Sequence, residues 1–558
     1  MAQPKSLKVE ADLALDELEI SDFTPGLLSD LDPNDIPLGG CRNTENVVFQ
    51  PGAMLGRRGF SILNSLLAGV ADGIATFYDS DGNLHLVVWA DGDFFDVDTI
   101  TFVATLVRAN AYQAGLRVCH ADLARILYFS DGETIVDDGM GFSGIRMYDP
   151  PTNPADAPLV VSDGSPGTIP TPACKVMIAR TGQLLLGDLK YDNTPLYAHD
   201  TAIWTNVFAP QTIIGTNIVR VGEGQGGAIN CFVFMSVTPD SGDSPYDAVF
   251  TGLAEHGVYI LKGALTPGTI QAIALNCTAG VLDGATAKYI PIQSGAAMVC
   301  FLGTDRRVYA TNGLATEDIV TDKISKELDE YLLGRLQLAP TGIFTSARND
   351  RDHHYILDCG GGRFYCYDWM RKCWMKFTRW VSGYWAEAID INGTPILYVT
   401  DQENPRLVQQ NAGMFDGGAP ITPFWTSGTI RIGKAINNIF KWLYLRFRTD
   451  NGRVLANLRV LQGRGPISQM TFDNLGGASV AALWGSGIWG SSIWGGSASS
   501  QFPALEQKKR IFVNELNGTR SKLQGSDIQI TLTTDSAEHF EPLNILILYL
   551  PGGRRHVA

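Results

Sequence analysis

Seven oxygen-bearing side chains crowd into one short stretch: Asp79, Asp81 and Asn83 in DSDGN, followed by Asp91, Asp93, Asp96 and Asp98. Clustered carboxylates suit a hard cation such as calcium. Hairpin turns select the same residues for backbone reasons, and the glycine does not stand where an EF-hand loop needs it. Turn chemistry is therefore the stronger reading. His353 and His354, beside Arg351 and Asp352, form the densest ionisable group. On an extended strand neighbouring side chains point to opposite faces, so these imidazoles are not expected to share a metal or a proton. GEGQGG, Gly222 to Gly227, fits a dinucleotide-binding pattern but runs into the apolar AINCFVF, with no helix to hold a phosphate. The match reads as accidental. No GxxxxGK[ST], HExxH or GxSxG pattern occurs. Scattered carboxylates leave room for a glycosidase pair, but no catalytic residue, cofactor or metal ligand is expected.

The nine cysteines, at 41, 119, 174, 231, 277, 300, 359, 366 and 373, stand singly with no CxxC pair. That spacing fits reduced thiols, many of them buried on strands. At 558 residues and 45% hydrophobic content the chain can build more than one core. A net charge of -15 argues against a protein that grips nucleic acid by neutralising phosphates. The amino terminus is charged, without an apolar signal region, and no run of about 18 apolar residues appears. No membrane segment and no secretion signal are expected.

The elements that must position these residues are mostly strands. Asp-Gly occurs at 72, 81, 91, 131, 138, 163, 283 and 416 and Asn-Gly at 312, 392, 451 and 517, mostly beside short apolar runs. These are hairpin signals. Ile74 to Thr99 reads as strand, turn, strand, turn, strand, and His354 to Thr378 as a second meander. Weaker relatives lie at Arg125 to Gly139, Lys175 to Leu189, Cys231 to Gly263 and Ala297 to Gly313. About six such units between residues 71 and 400 predict a β-propeller of about six blades, with five or seven open. Closure would remove exposed sheet edges. One helix is expected over Thr316 to Leu336, with Ile324, Leu328, Tyr331 and Leu332 on one face and Gly334 as its stop.

From residue 401 to 558 long alternating strands, such as Ser526 to Asp535, predict a β-sandwich-like module. Residues 1 to 70 read as an arm plus a docking strand. Inside the C-terminal module, LWGSGIWGSSIWGG (Leu483 to Gly496) spaces Trp484, Trp489 and Trp494 five apart, with Ile488 and Ile493 between. A five-residue step lines neither a helix face nor a strand face. Large rings on a glycine-rich tether suit docking into a folded surface, either their own sandwich core or a neighbouring subunit.

Gly26 to Phe60 resembles the opening of tailed-bacteriophage structural proteins, in Asn46, Val47, Gly52, Leu55, Arg57, Arg58, Gly59 and Phe60. The passage FLGTDRRVYATNGLATEDIVTDKISKEL is similar to another stretch of that group, as are the aromatic-glycine pentads at Trp484, Trp489 and Trp494 and the closing Gly552 to Arg555. The family that these passages resemble is the podovirus tail nozzle, or tail tubular protein B. That resemblance implies a propeller-rich structural virion protein without enzymatic activity, assembled in the host cytoplasm. It also implies a homo-hexameric ring below the tail adaptor that anchors tail fibres and lets genome DNA pass during ejection. The acidic balance is compatible, because an acidic wall lets DNA slide past. A receptor-binding or fibre-attachment protein and a polysaccharide-degrading propeller are the other classes.

Overall fold

The computed structural model describes residues 16–63, 67, 69–133, 136–137, 142–151, 153–158, 168–169, 172–190, 199–210, 213–222, 227–239, 244–291, 297–320, 323–338, 344–389, 393–413, 415–432, 438–449, 454–462, 465–472, 505–512, 524–534 and 541–550. The protein is mainly β, with many small antiparallel sheets. It divides into two compact units, one of residues 1–58, 373–376 and 418–558 and one of residues 59–372 and 377–417.

In the second unit the sheets follow one another along the chain. The first comprises Ala71–Tyr78, Leu84–Ala90, Asp93–Val97 and Ala104–Arg108, matching the meander read from Asp-Gly spacing. Four further four-stranded sheets begin with Cys119–Leu123, Ala173–Arg180, Ile229–Val237 and Lys288–Pro291. A sixth begins with Thr345–Asn349, His354–Asp358 and Arg363–Asp368. The seventh takes Trp385–Ile389, Pro395–Thr400 and Leu407–Gln410 and adds Phe60–Ile62 as its next strand, with Gln409 opposite Ser61. The six units counted in the sequence correspond to the first six of these sheets; the seventh was not counted, and it recruits one strand from far upstream.

The first strand of each sheet packs against the first strand of the next, and Trp385–Ile389 packs against Ala71–Tyr78. Apolar clusters lie between successive sheets. Ala75, Trp89 and Phe94 of the first meet Leu127, Phe129 and Tyr148 of the second, and Ile74, Leu86 and Val88 meet Ala386, Tyr398 and Leu407 of the seventh. The first sheet is therefore buried on both faces, which explains why Leu86 to Ala90 is a continuous buried apolar run rather than an alternating one.

The helix spans Ser325–Leu338. Ile324, Leu328 and Leu332 are buried as the helical spacing predicts. Its start is later than expected, because Thr316–Asp318 is the outer strand of the fifth sheet. Gly334 lies inside the helix and does not stop it.

The first unit holds two larger antiparallel sheets. One orders Asp16–Ile20, Glu541–Leu550, Asn438–Thr449 and Leu505–Phe512; the other orders Cys41–Glu45, Phe424–Ser427, Asp527–Thr534, Val454–Gln462 and Gly465–Phe472. Residues from the amino-terminal stretch thus complete both sheets. Asp527–Thr534 alternates, with Ile528, Ile530 and Leu532 buried and Gln529, Thr531 and Thr533 half-buried.

Arg57 of the amino-terminal stretch is buried. Its Nε donates to Asn46 Oδ1 at 2.7 Å and its Nη1 to Arg58 O at 2.9 Å. Asn46 itself adopts the left-handed backbone, φ 59°. Arg57 and Asn46 thus hold each other in place within this stretch.

Candidate functional site

Of the clustered aspartates near residue 80, Asp79 and Asp98 accept hydrogen bonds within their own turns, while Asp93 and Asp96 take partners from elsewhere. Asp79 is buried and accepts from Asn83 N at 2.7 Å and Asn83 Nδ2 at 3.0 Å. Asp93 accepts from Asn110 N at 2.9 Å, and Asp98 from Ile100 N at 2.9 Å. Sequence reasoning missed His85, which sits between two of them, 3.0 Å from Asp79 Oδ2 and 2.8 Å from Asp96 Oδ2. Tyr148 OH of the second sheet also donates to Asp96 Oδ2, at 2.8 Å. Burial works against the imidazolium, but the hydrogen bonds and charges of Asp96 and Asp79 outweigh it and raise the His85 pKa. Asp79 is held at about 2, because its donors outweigh the cost of its burial. The only signal for this latch in the sequence was a polar residue opening an apolar strand.

His353 and His354 do part company, but not by strand alternation: His353 lies in the turn before the strand with a left-handed backbone, φ 61°, and only His354 is on the strand His354–Asp358. The ring of His353 meets Trp369 at 5.8 Å and that of His354 meets Phe377 at 6.4 Å. Burial pushes the His354 pKa down. Asp352 is bonded to Asn349 and Asn411 side chains, at 2.9 and 2.6 Å. Of GEGQGG, Gly222 and Gly227 are described, and the chain then enters the strand Ile229–Val237. Trp484, Ile488, Trp489, Ile493 and Trp494 lie outside the described residues. All nine cysteines are free thiols and seven of them are buried.

Two concavities in the second unit bring together residues that no motif linked. One is a cleft of about 570 Å³ with Asp358, Arg335, Arg379, Asp401, Glu403 and Arg406 on its walls. Asp358 is buried at a strand end and accepts from Gly360 N at 2.8 Å, Ser382 Oγ at 2.9 Å and Gly383 N at 3.0 Å. Burial nevertheless lifts its pKa to about 7. The loop after it, Gly360 to Gly362, has φ of 74°, 62° and 69°, a run that only glycine adopts without strain. The guanidinium of Arg335 lies over Gly360, with its Nε buried and without a hydrogen-bond partner. Arg406 Nε is paired with Asp401 at 2.7 Å.

The other is formed by the first strands of the sheets. A cavity of about 250 Å³ is lined by His120, Lys288, Arg348, Trp385 and Glu387. An adjoining space of about 440 Å³ shares His120 and reaches Arg117, Cys119, Lys175 and Asp283. Most of these charges are paired: Arg117 to Asp283 at 2.8 Å, Lys175 to Glu133 at 3.4 Å, and Arg348 to Asp350 at 2.7 Å and Glu387 at 3.9 Å. Lys288 has no ion pair or hydrogen bond from its ammonium among the described residues. His120 stacks on Trp89, with ring centroids 5.7 Å apart and planes 21° from parallel. Crowding by the surrounding strands, then the charges of Lys288 and Arg117, push the His120 imidazole down to about 4. Cys119 and Cys174 bring their sulfurs to 3.9 Å of each other. Neighbours along a strand are legible in sequence; these groups come from strands scattered over more than 250 positions and are not.

No protein-family model matches this chain, and no curated protein does.

Proposed function

We propose that residues 59–372 and 377–417 form a seven-bladed β-propeller, and that the chain is a structural virion protein of a phage tail. In this reading it is the nozzle ring, forming the distal part of the DNA-ejection conduit and anchoring fibres. The observation that carries the reading is the contact of Trp385–Ile389 with Ala71–Tyr78, together with the recruitment of Phe60–Ile62 into the last sheet. A sheet succession that returns to its start, with its final sheet completed by an upstream strand, supports a ring closed by joining early and late segments. The pair of larger sheets in the other unit supports a β-sandwich-like module alongside.

The resemblance of Gly26 to Phe60 and the net charge of -15 support a conduit component over a nucleic-acid binder. The conduit here is the lumen between ring copies, separate from the inner cavity of each propeller. Trp484, Trp489 and Trp494 serve as ring-interface anchors, with Ile488 and Ile493 beside them. Symmetry-resolved imaging of the assembled particle tests this: six copies in an axial ring below the adaptor are expected. Peripheral copies, or a lumen lined with lysine and arginine, would remove the nozzle role. Replacing the three tryptophans by alanine is expected to leave a folded protein that no longer forms the ring.

One observation favours a second reading, a polysaccharide-degrading propeller. The raised Asp358 carboxyl shares its cleft with Glu403, so an acid and a base are available in one place. Turnover of host-surface glycans by the intact chain, abolished in Glu403→Gln, would establish it; no turnover removes it.

A further inference from the structure

We propose that Cys119 and Cys174 are a redox pair, a modification site at which a hydroperoxide oxidises the two thiols to a disulfide that joins the second sheet to the third. The inference is independent of the tail role. Cys119 opens the strand Cys119–Leu123, and Cys174 lies near the start of Ala173–Arg180. These are the first strands of successive sheets, and they pack side by side. The two thiols stand 55 positions apart in sequence, yet their sulfurs lie 3.9 Å from each other. Cys119 Sγ also donates to the carbonyl O of Cys174 at 3.2 Å. Both backbones are held at the place of contact. Cys119 pairs with Ser130 in the ladder between the first two strands of its sheet, and Ser130 Oγ accepts from Cys174 N at 3.2 Å. One residue thus ties the two cysteine positions together before any covalent bond forms.

A disulfide holds its sulfurs at about 2.0 Å, so this pair has roughly 2 Å to close, which rotation about the Cα–Cβ bonds supplies. Access sets the order of events. Cys119 is half-buried and lines the space of about 440 Å³ at the first strands, whereas Cys174 is buried. A small peroxide entering that space meets Cys119 first. The Cys119 thiolate attacks one peroxide oxygen, the O–O bond breaks, and the sulfur becomes a sulfenic acid as hydroxide departs. The Cys174 sulfur then attacks Cys119 Sγ. The S–S bond forms, the S–O bond breaks, and the Cys174 proton leaves with the hydroxide as water. Two thiols have lost two electrons and two protons, and one peroxide has become two waters. Burial and the neighbouring Cys119 push the Cys174 thiol well up, which fits the group that resolves the reaction instead of starting it. Cys277 is the other half-buried thiol, and its Sγ turns to Ala279 O at 3.6 Å, so it serves as an internal control.

Treatment of the reduced full chain with hydrogen peroxide, then alkylation of the remaining thiols in denaturant and peptide mapping by mass spectrometry, tests the proposal. Peptides joined through Cys119 and Cys174, lighter by two hydrogens than the separate halves and released by dithiothreitol, are expected. The oxidised wild type should melt at a higher temperature than the reduced form, because the cross-link restricts the unfolded chain across those 55 positions. Cys119→Ser and Cys174→Ser should each lose the joined peptides and remove that rise. If Cys174→Ser fails to fold, Cys119→Ser, at the half-buried position, carries the test. Both cysteines still open to alkylation after oxidation, further oxidation of Cys119 without a cross-link, or a disulfide to Cys231 or Cys277 instead, would overturn the site.

Discussion

Leu84–Ala90 in the seven-sheet unit and Asp527–Thr534 in the two-sheet unit are both central antiparallel strands, yet they distribute their buried side chains differently. In the first, five consecutive residues from Leu86 to Ala90 are buried; in the second, burial largely alternates. The physical difference is the number of faces covered. A sheet packed between two others buries both sets of side chains, and a sheet with one covered face buries every second one. Continuous runs and alternating runs thus report how many neighbours a sheet has.

The largest test of that comparison is Trp89→Ala. Trp89 is fully buried against Phe94, Phe129 and His120, and its loss is expected to cost about 3–5 kcal/mol in denaturant unfolding. Next comes Gly383→Ala. A Cβ at 383 would run into the backbone carbonyl of Thr400, so about 1–3 kcal/mol of destabilisation is expected. Loss of hydrogen-exchange protection in strands His354–Asp358 and Pro395–Thr400 is the local readout. A paired substitution sharpens the contrast most directly. Val87→Thr and Val88→Thr, at adjacent and fully buried positions, should each cost about 1–3 kcal/mol. Gln529→Thr, on the half-buried face of the other unit, loses one hydrogen bond to Ser427 O and should cost no more than about 1 kcal/mol. A large cost at 529, or a negligible one at 87, would break the two-face argument.

The smallest effect is in pH dependence. His85 is raised in the folded protein, so its contribution is complete below the unfolded histidine pKa and fades as pH rises through the folded value. Asp79 is depressed to about 2, so its contribution holds above the ordinary carboxylate range and fades as pH falls toward 2. The wild type should therefore lose stability on passing upward from neutral pH. His85→Gln should flatten that slope, read from melting temperature against pH, and also weaken the acid limb a little, because His85 is one of the groups that hold Asp79 down.

Much of the strand inventory was legible because hairpin turns are local. Asp79, Asp93 and Asp98 accept from backbone amides of their own or adjoining turns, and residues of this kind announce such geometry wherever they occur. The meander of Ile74 to Thr99 could be read from those turns alone. The helix was legible through Ile324, Leu328 and Leu332, while its start was not, because Thr316–Asp318 gains its identity by pairing with Val308–Thr311. His85 looked like an ordinary strand residue until Asp79 and Asp96 were brought to its two nitrogens. None of the cavity residues carried a motif, since each owes its neighbours to strands of different sheets.

The amino-acid sequence by itself determined a β-rich chain punctuated by hairpins, its excess of acid over base, and one amphipathic helix, because turn preference, charge and periodicity are properties of neighbouring residues. Only the tertiary structure decided that Phe60–Ile62 joins Leu407–Gln410, and that His120, Lys288 and Arg348 share one cavity. Those pairings are made by segments far apart in the chain, whose meeting depends on how every intervening sheet packs and not on the residues beside them.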